Sequence, residues 1–171
     1  MIKKKLLKNA KKIDHFLVSF LKKQKKSFLV KPMKYGVISG GKKIRSTIIF
    51  DTGKIFNIKE KKLLNICAAV ECIHSYSLIH DDLPCMDNDK MRRGKPSTHI
   101  KFGEASAVLA GSSLLTLAFE IIVDKKYLVS SKVKNEIIKS LASCSGHTGI
   151  AEGQELDLKF ENKKKKKEPN Y

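Results

Sequence analysis

Apolar residues in this chain recur at helical steps, and no run of them alternates with polar ones as a strand requires. Over residues 2–21 the stripe is Ile2, Leu6, Ala10, Ile13, Leu17, Phe20 and Leu21, with lysines on the opposite face. Such a helix packs its apolar side on the body of the protein. Lys31-Pro32 predicts a break, and Tyr35-Gly36 leads into a turn at Gly40-Gly41. Helices are predicted over 44–56, 60–82, 104–124 and 131–143. Gly94, Pro96 and Gly103 mark a loop, and Gly146 and Gly149 interrupt the pattern before Gln154. The predicted fold is all-α, in one domain with its own core.

Chemistry concentrates in Ser77-Leu-Ile-His-Asp-Asp-Leu-Pro-Cys-Met and the Asp87 that follows. Asp81, Asp82 and Asp87 precede Arg92-Arg93-Gly94 closely. Carboxylate oxygens take hard cations such as Mg2+, and guanidiniums neutralise the phosphate oxygens a metal leaves free. This is the pattern of a site for a metal-bound polyphosphate. Upstream, Glu71, His74, Leu78 and Asp81 follow helical spacing, which puts His74 and Asp81 on one face about 10 Å apart along the axis. Asp87 is six residues beyond Asp81 and would point elsewhere on a straight helix. Pro84 disfavours helix at Leu83, so the chain is expected to bulge and bring Asp87 back.

Bulk properties exclude several classes. The net charge is +18, but 32 of the 35 basic residues are lysine, a skew that resembles codon bias more than a binding face. There is no Trp, and aromatics do not interleave with the basic runs, so no nucleic-acid partner is expected. Cys67, Cys72, Cys85 and Cys144 lack a paired Cys-x2-Cys spacing; they read as reduced, packed thiols of a cytoplasmic protein rather than zinc ligands. The lysine-rich N-terminus has no continuous apolar segment and does not read as a signal peptide. The longest apolar stretch, 105–119, falls short of the ~20 residues of a membrane span, so it reads as a core helix and no stable membrane insertion is expected.

Four segments together resemble the trans-isoprenyl diphosphate synthases of the polyprenyl synthetase family. Gly40-Gly41-Lys42-Lys43-Ile44-Arg45 is similar to the family's Gly-Gly-Lys-Arg-x-Arg segment, and Val70-Glu71-Cys72-Ile73-His74 to the helix that enters the aspartates. Asp81 to Asp87 resembles the first aspartate-rich motif, and Gly153-Gln154-Glu155-Leu156-Asp157-Leu158 the Gly-Gln motif. Their order and spacing are family-like. The two-residue expansion of the aspartate motif resembles the bacterial farnesyl-type members.

The resemblance implies a helical-bundle fold and roles residue by residue. Lys42, Arg45 and His74 match positions that hold the diphosphate of isopentenyl diphosphate. Arg93 matches another contact to that substrate, and Arg92 one to the allylic diphosphate. Gly41, with Gly40, lets the backbone approach the anion. Gln154 resembles a residue that helps hold the allylic end; Asp157 and His80 read as structural. Tyr76, five residues before Asp81, resembles the bulky floor that stops growth at a C15 product. The implied catalytic set is Asp81, Asp82, Asp87 and Arg92, and the implied metal ligands are Asp81, Asp82 and Asp87, holding Mg2+ in two sites. The implied reaction condenses isopentenyl diphosphate with dimethylallyl or geranyl diphosphate through an allylic cation, with loss of a proton, and the implied assembly is a homodimer.

Three departures are mild: Lys43 replaces an arginine, Ser46 a proline and Asn88 an aspartate. A larger one is that the family's second aspartate-rich motif, which holds a third metal, is not in this sequence. The expected organisation is a partial synthase domain over 1–162 and a lysine-rich tail over 163–171, truncated or frameshifted. Three functions compete: a prenyltransferase making farnesyl diphosphate, an inactive truncated piece of one, and a lysine-rich protein that binds nucleic acid or a membrane surface. Lys42-Lys43, without the resemblance, would read as a solvated charge run.

Overall fold

The computed structural model describes residues 2–38 and 40–165. Among the described residues eight helices follow in chain order: α1 (Ile2–Lys22), α2 (Val30–Val37), α3 (Ile44–Ile55), α4 (Glu60–Asp81), α5 (Thr98–Phe102), α6 (Glu104–Val123), α7 (Ser131–Ser145) and α8 (Ile150–Lys165). A hairpin of two-residue strands, β1 (Met91–Arg92) and β2 (Lys95–Pro96), lies between α4 and α5. The all-α expectation holds, and the predicted boundaries of α3, α4 and α6 agree to within one residue.

The core is a seam between α4 and α6. Small residues let these helices approach closely: Ala68, Ala69 and Cys72 on α4 meet a face of Ala107, Ala110, Leu114 and Ala118 on α6, all fully buried. Gly111 belongs to this seam. A Cβ there would fall on His80 Nε2, which hydrogen-bonds the Val108 carbonyl at 3.0 Å. His80 is therefore a packing residue, as predicted. α1 closes another side by burying Ile13, Leu17 and Leu21.

The structure corrects several expectations. Lys31-Pro32 does not break the chain; Pro32 sits in the first turn of α2, where its missing N–H costs no hydrogen bond. The loop at Gly94 contains a hairpin whose turn residues, Arg93 and Gly94, have φ of 54° and 73°, as a type I′ turn needs. The segment carrying Gln154 is helical, and α8's backbone continues past residue 162 to Lys165; the rest of the expected tail lies outside the described residues. The apolar helix α6 is 20 residues long, longer than the 105–119 stretch, so length alone does not exclude a membrane span. Burial makes it a core helix instead: Leu114, Leu117, Ile121 and Ile122 all face the interior. Only Cys67 and Cys72 are packed thiols, pushed up to about 12 by burial; Cys85 and Cys144 are exposed, and all four are unpaired.

Candidate functional site

The glycine turn before α3 faces an anion-sized cleft of about 350 Å3. Gly40 and Gly41 have φ of 89° and 98°, which only glycine adopts without strain. Space reinforces the requirement at Gly41, where a Cβ would lie 2.7 Å from the Arg93 guanidinium carbon. Arg93 reaches over from the hairpin turn, and its Nη1 donates to the Gly40 carbonyl at 2.7 Å. Lys42, just before α3, and Arg45, in its first turn, complete the cationic lining, with His74 of α4 beside them. Burial, then the neighbouring Arg45, Arg93, Lys43 and Arg92 charges, depress the His74 pKa to about 4. At neutral pH the imidazole is a neutral donor or acceptor, and the positive charge comes from the lysine and arginines.

A second cleft of about 360 Å3 shares a wall with the first. Arg45 and His74 line both. Its remaining lining is largely apolar, with Val70, Ile73 and Leu78 from α4, Leu141 from α7 and Ile150 from α8; Asp81 and Gln154 also border it. A cationic cleft beside an apolar one suits a molecule with a diphosphate head and a hydrocarbon tail. Tyr76 is not part of this lining. It lies one layer behind, its hydroxyl donating to the Ser145 carbonyl at 3.4 Å and its ring meeting His80 edge-on at 5.6 Å.

At the end of α4 the chain folds back as expected. The Asp87 N–H donates to the Asp81 carbonyl at 2.9 Å, and Asn88, with φ of 55°, donates to Leu83 at 3.0 Å. One oxygen of Asp81, Oδ1, is buried and has no hydrogen-bond partner. Burial raises the Asp81 pKa, and the nearby Asp87 raises it further. An orphaned carboxylate oxygen beside a second carboxylate fits a hard divalent cation, which would remove both penalties.

Asp82 does not join them. Its carboxylate is 3% exposed and accepts from Arg92 Nε at 2.8 Å and from Arg92 Nη2, which also donates to Asp89 Oδ2 at 3.2 Å. These bonds raise the Arg92 pKa. Asp82 thus faces the hairpin rather than the other two carboxylates. Among the described residues, no three His, Cys, Asp or Glu side chains converge tightly enough to form a metal-holding group.

The Lys42-Lys43 pair is not a charge run. Lys42 is exposed, whereas Lys43 turns inward with φ of 45° and its side chain only 2% exposed. Its Nζ donates to the Val37 carbonyl at 2.7 Å and lies 3.4 Å from Asp14 and 3.9 Å from Glu71. Ser46 Oγ donates to the other Glu71 oxygen at 2.8 Å. In the sequence Glu71 stands on a helical face and in the Val70–His74 segment, with no role of its own. The signal available in the sequence is a lone glutamate in a helical stretch of small and apolar residues, Ile66 to Ile73.

Residues 26–171 match the Polyprenyl synthetase family. The chain belongs to that family. Its similarity to the Escherichia coli farnesyl diphosphate synthase is 50% identity over 136 residues, which are 79% of this chain and 46% of that protein. The farnesyl diphosphate synthase of Buchnera aphidicola from Acyrthosiphon pisum is 49% identical over 139 residues, 81% of this chain and 49% of its own. Among solved structures, an FPP/GFPP synthase of Zymomonas mobilis superposes with a TM-score of 0.88 at 42% identity, covering 94% of this chain and 58% of that one. A geranyltransferase of Legionella pneumophila gives a TM-score of 0.87 at 36% identity, covering 92% and 56%. The chain thus spans about half the length of the polyprenyl synthetase family members it matches, and its helices are the family's.

Proposed function

We propose that this chain carries the diphosphate-binding half of a prenyltransferase that makes farnesyl diphosphate from isopentenyl diphosphate and dimethylallyl or geranyl diphosphate. The observation that carries the reading is the shared wall: Arg45 and His74 join a cationic cleft to an apolar one that Asp81 borders. Lys42, Arg45 and Arg93 hold the isopentenyl diphosphate head, with the Gly40-Gly41 backbone alongside and His74 as a neutral hydrogen-bonding group. Asp81 and Asp87 are the groups that would hold Mg2+, with Asp82 fixing Arg92 towards the allylic diphosphate. Bound there, Mg2+ supplies charge neutralisation for the departing diphosphate. The apolar walls keep water from the allylic cation left behind, so the isopentenyl double bond attacks it instead. The new carbon–carbon bond then forms, and the proton lost goes to the released diphosphate. Gln154 orients the allylic end, and Tyr76 limits product length.

The complete enzyme is read as a cytoplasmic homodimer. Because the chain spans about half of its relatives, a second reading is a piece that binds diphosphate without turning it over. Radiolabelled isopentenyl diphosphate, incubated with geranyl diphosphate and Mg2+, decides between them. Labelled C15 product that disappears with Asp81→Ala supports the synthase. Arg45-dependent binding of isopentenyl diphosphate without product supports the second reading, and neither binding nor product sinks both.

A further inference from the structure

The wall of the anion cleft contains a carboxylate. Glu71 lines the same cavity as Lys42, Arg45, His74 and Arg93, and an acidic side chain there repels any diphosphate. It is 3% exposed, so water does little to screen it. Three contacts hold it down. Ser46 Oγ and the Ser46 N–H donate to Oε1 at 2.8 and 3.4 Å, and the Lys43 ammonium stands 3.9 Å from Oε2.

Lys43 reaches that position because the backbone is bent for it. With φ of 45°, Lys43 lines the same cavity but is buried, whereas the adjacent Lys42 is exposed. There its ammonium is bound by the last carbonyl of α2, from Val37, and faces Asp14 of α1. One buried cation is thereby in contact with groups from α1, α2 and α4, while Ser46 ties α3 to the same glutamate. The Glu71 anchor also lies one helical turn before His74.

We propose that Lys43 and Ser46 are positioning residues that neutralise and pin Glu71, so that a cleft with an acidic wall still accepts a diphosphate. This rests on the diphosphate reading above. The arrangement does two jobs. It cancels the repulsion, and it fixes the first turn of α3, which carries Arg45, against the α4 turn that carries His74.

Removing one partner of a buried charge pair leaves the other uncompensated, whereas removing both is far milder. The test is therefore a cycle of Lys43→Met, Glu71→Gln and the double variant in the 171-residue chain. Inorganic pyrophosphate is the probe, read by calorimetry, and the His74 titration is followed by NMR. Lys43→Met is expected to weaken pyrophosphate binding about tenfold, and adding Glu71→Gln to restore it to within about threefold of the parent. The His74 titration point should rise in Lys43→Met and fall back in the double variant. The groups facing His74 from α3 and the hairpin, Arg45, Arg93 and Arg92, are the same in all of these proteins. A merely structural role predicts no such recovery.

Lys43→Met with unchanged binding and titration overturns the proposal, as does a double variant no better than Lys43→Met. Should Lys43→Met fail to fold, Ser46→Ala releases Glu71 more gently and is expected to move both readouts the same way; no movement overturns the proposal. Pyrophosphate binding that is absent, or indifferent to Arg45→Ala, sinks the diphosphate reading instead. In that case the fall-back of the His74 titration in the double variant, not its rise in Lys43→Met, decides whether Lys43 neutralises Glu71, because the Lys43 charge itself depresses the His74 pKa.

Discussion

Asp81 and Asp82 are neighbours in sequence with opposite circumstances: Asp82 is clasped by Arg92, with Nε 2.8 Å from Oδ1, while Asp81 Oδ1 is buried with no partner. The difference predicts opposite responses to substitution. Asp82→Ala strands a partly buried guanidinium and should destabilise the chain by about 1–3 kcal/mol in urea unfolding. Asp81→Ala removes a group whose burial is uncompensated, so stability should stay level or rise, while Mg2+-dependent binding of a diphosphate is lost. Equal destabilisation by both substitutions would contradict the geometry.

His74 makes stability depend on pH. Its pKa is lowered from 6.5 to about 4 in the folded chain, so the unfolded chain binds more protons between those values. Stability contributed by the neutral imidazole is therefore present above about pH 6.5 and lost as pH falls to about 4. Asp81, with a raised pKa, acts in the opposite sense as pH rises above the ordinary value of 3.8. His74→Gln isolates the first effect. Urea unfolding at several pH values should show a shallower acid decline in that variant than in the parent.

Gly41→Ala is expected to damage the anion cleft without removing a cation. The positive φ costs an L-residue about 1–2 kcal/mol, and the added Cβ displaces the Arg93 guanidinium that it would meet at 2.7 Å. Pyrophosphate affinity should fall about as far as in Arg93→Ala. Calorimetry on the two variants side by side checks this.

The reading of Tyr76 as a floor behind the apolar cleft predicts that its bulk sets product length. Tyr76 stands between that cleft and His80, held by its hydroxyl on Ser145. In an active assembly, Tyr76→Ala should lengthen the product beyond C15, and Tyr76→Phe should leave it unchanged because the ring remains. Chromatography of the dephosphorylated products reads both. An unchanged C15 product from Tyr76→Ala would end the case for Tyr76 as a floor.

Helices α1, α3, α4, α6 and α7 were legible because apolar spacing survives in a helix that packs on a core, and the family motifs mark the turn, the aspartates and the Gly-Gln segment. What was hidden depends on contacts between distant residues. Nothing near Lys43 reveals that Asp14 and Glu71 converge on it, so adjacent lysines look alike in sequence although one is exposed and one buried. Asp81 and Asp82 look like a pair, yet helical neighbours point about 100° apart, and only the hairpin, unreadable from two-residue strands, decides which faces Arg92. Pro32 misled because a proline stops a helix it enters late but is welcome in the first turn.

The Gly111 contact has a consequence for how this protein can vary. α6 lends no side chain to either cleft, yet a single methyl at Gly111 would displace His80, the residue just before Asp81. Substitutions along that seam are constrained by bulk rather than by polarity. The setting of Asp81 is therefore tied to a helix that lines neither cleft.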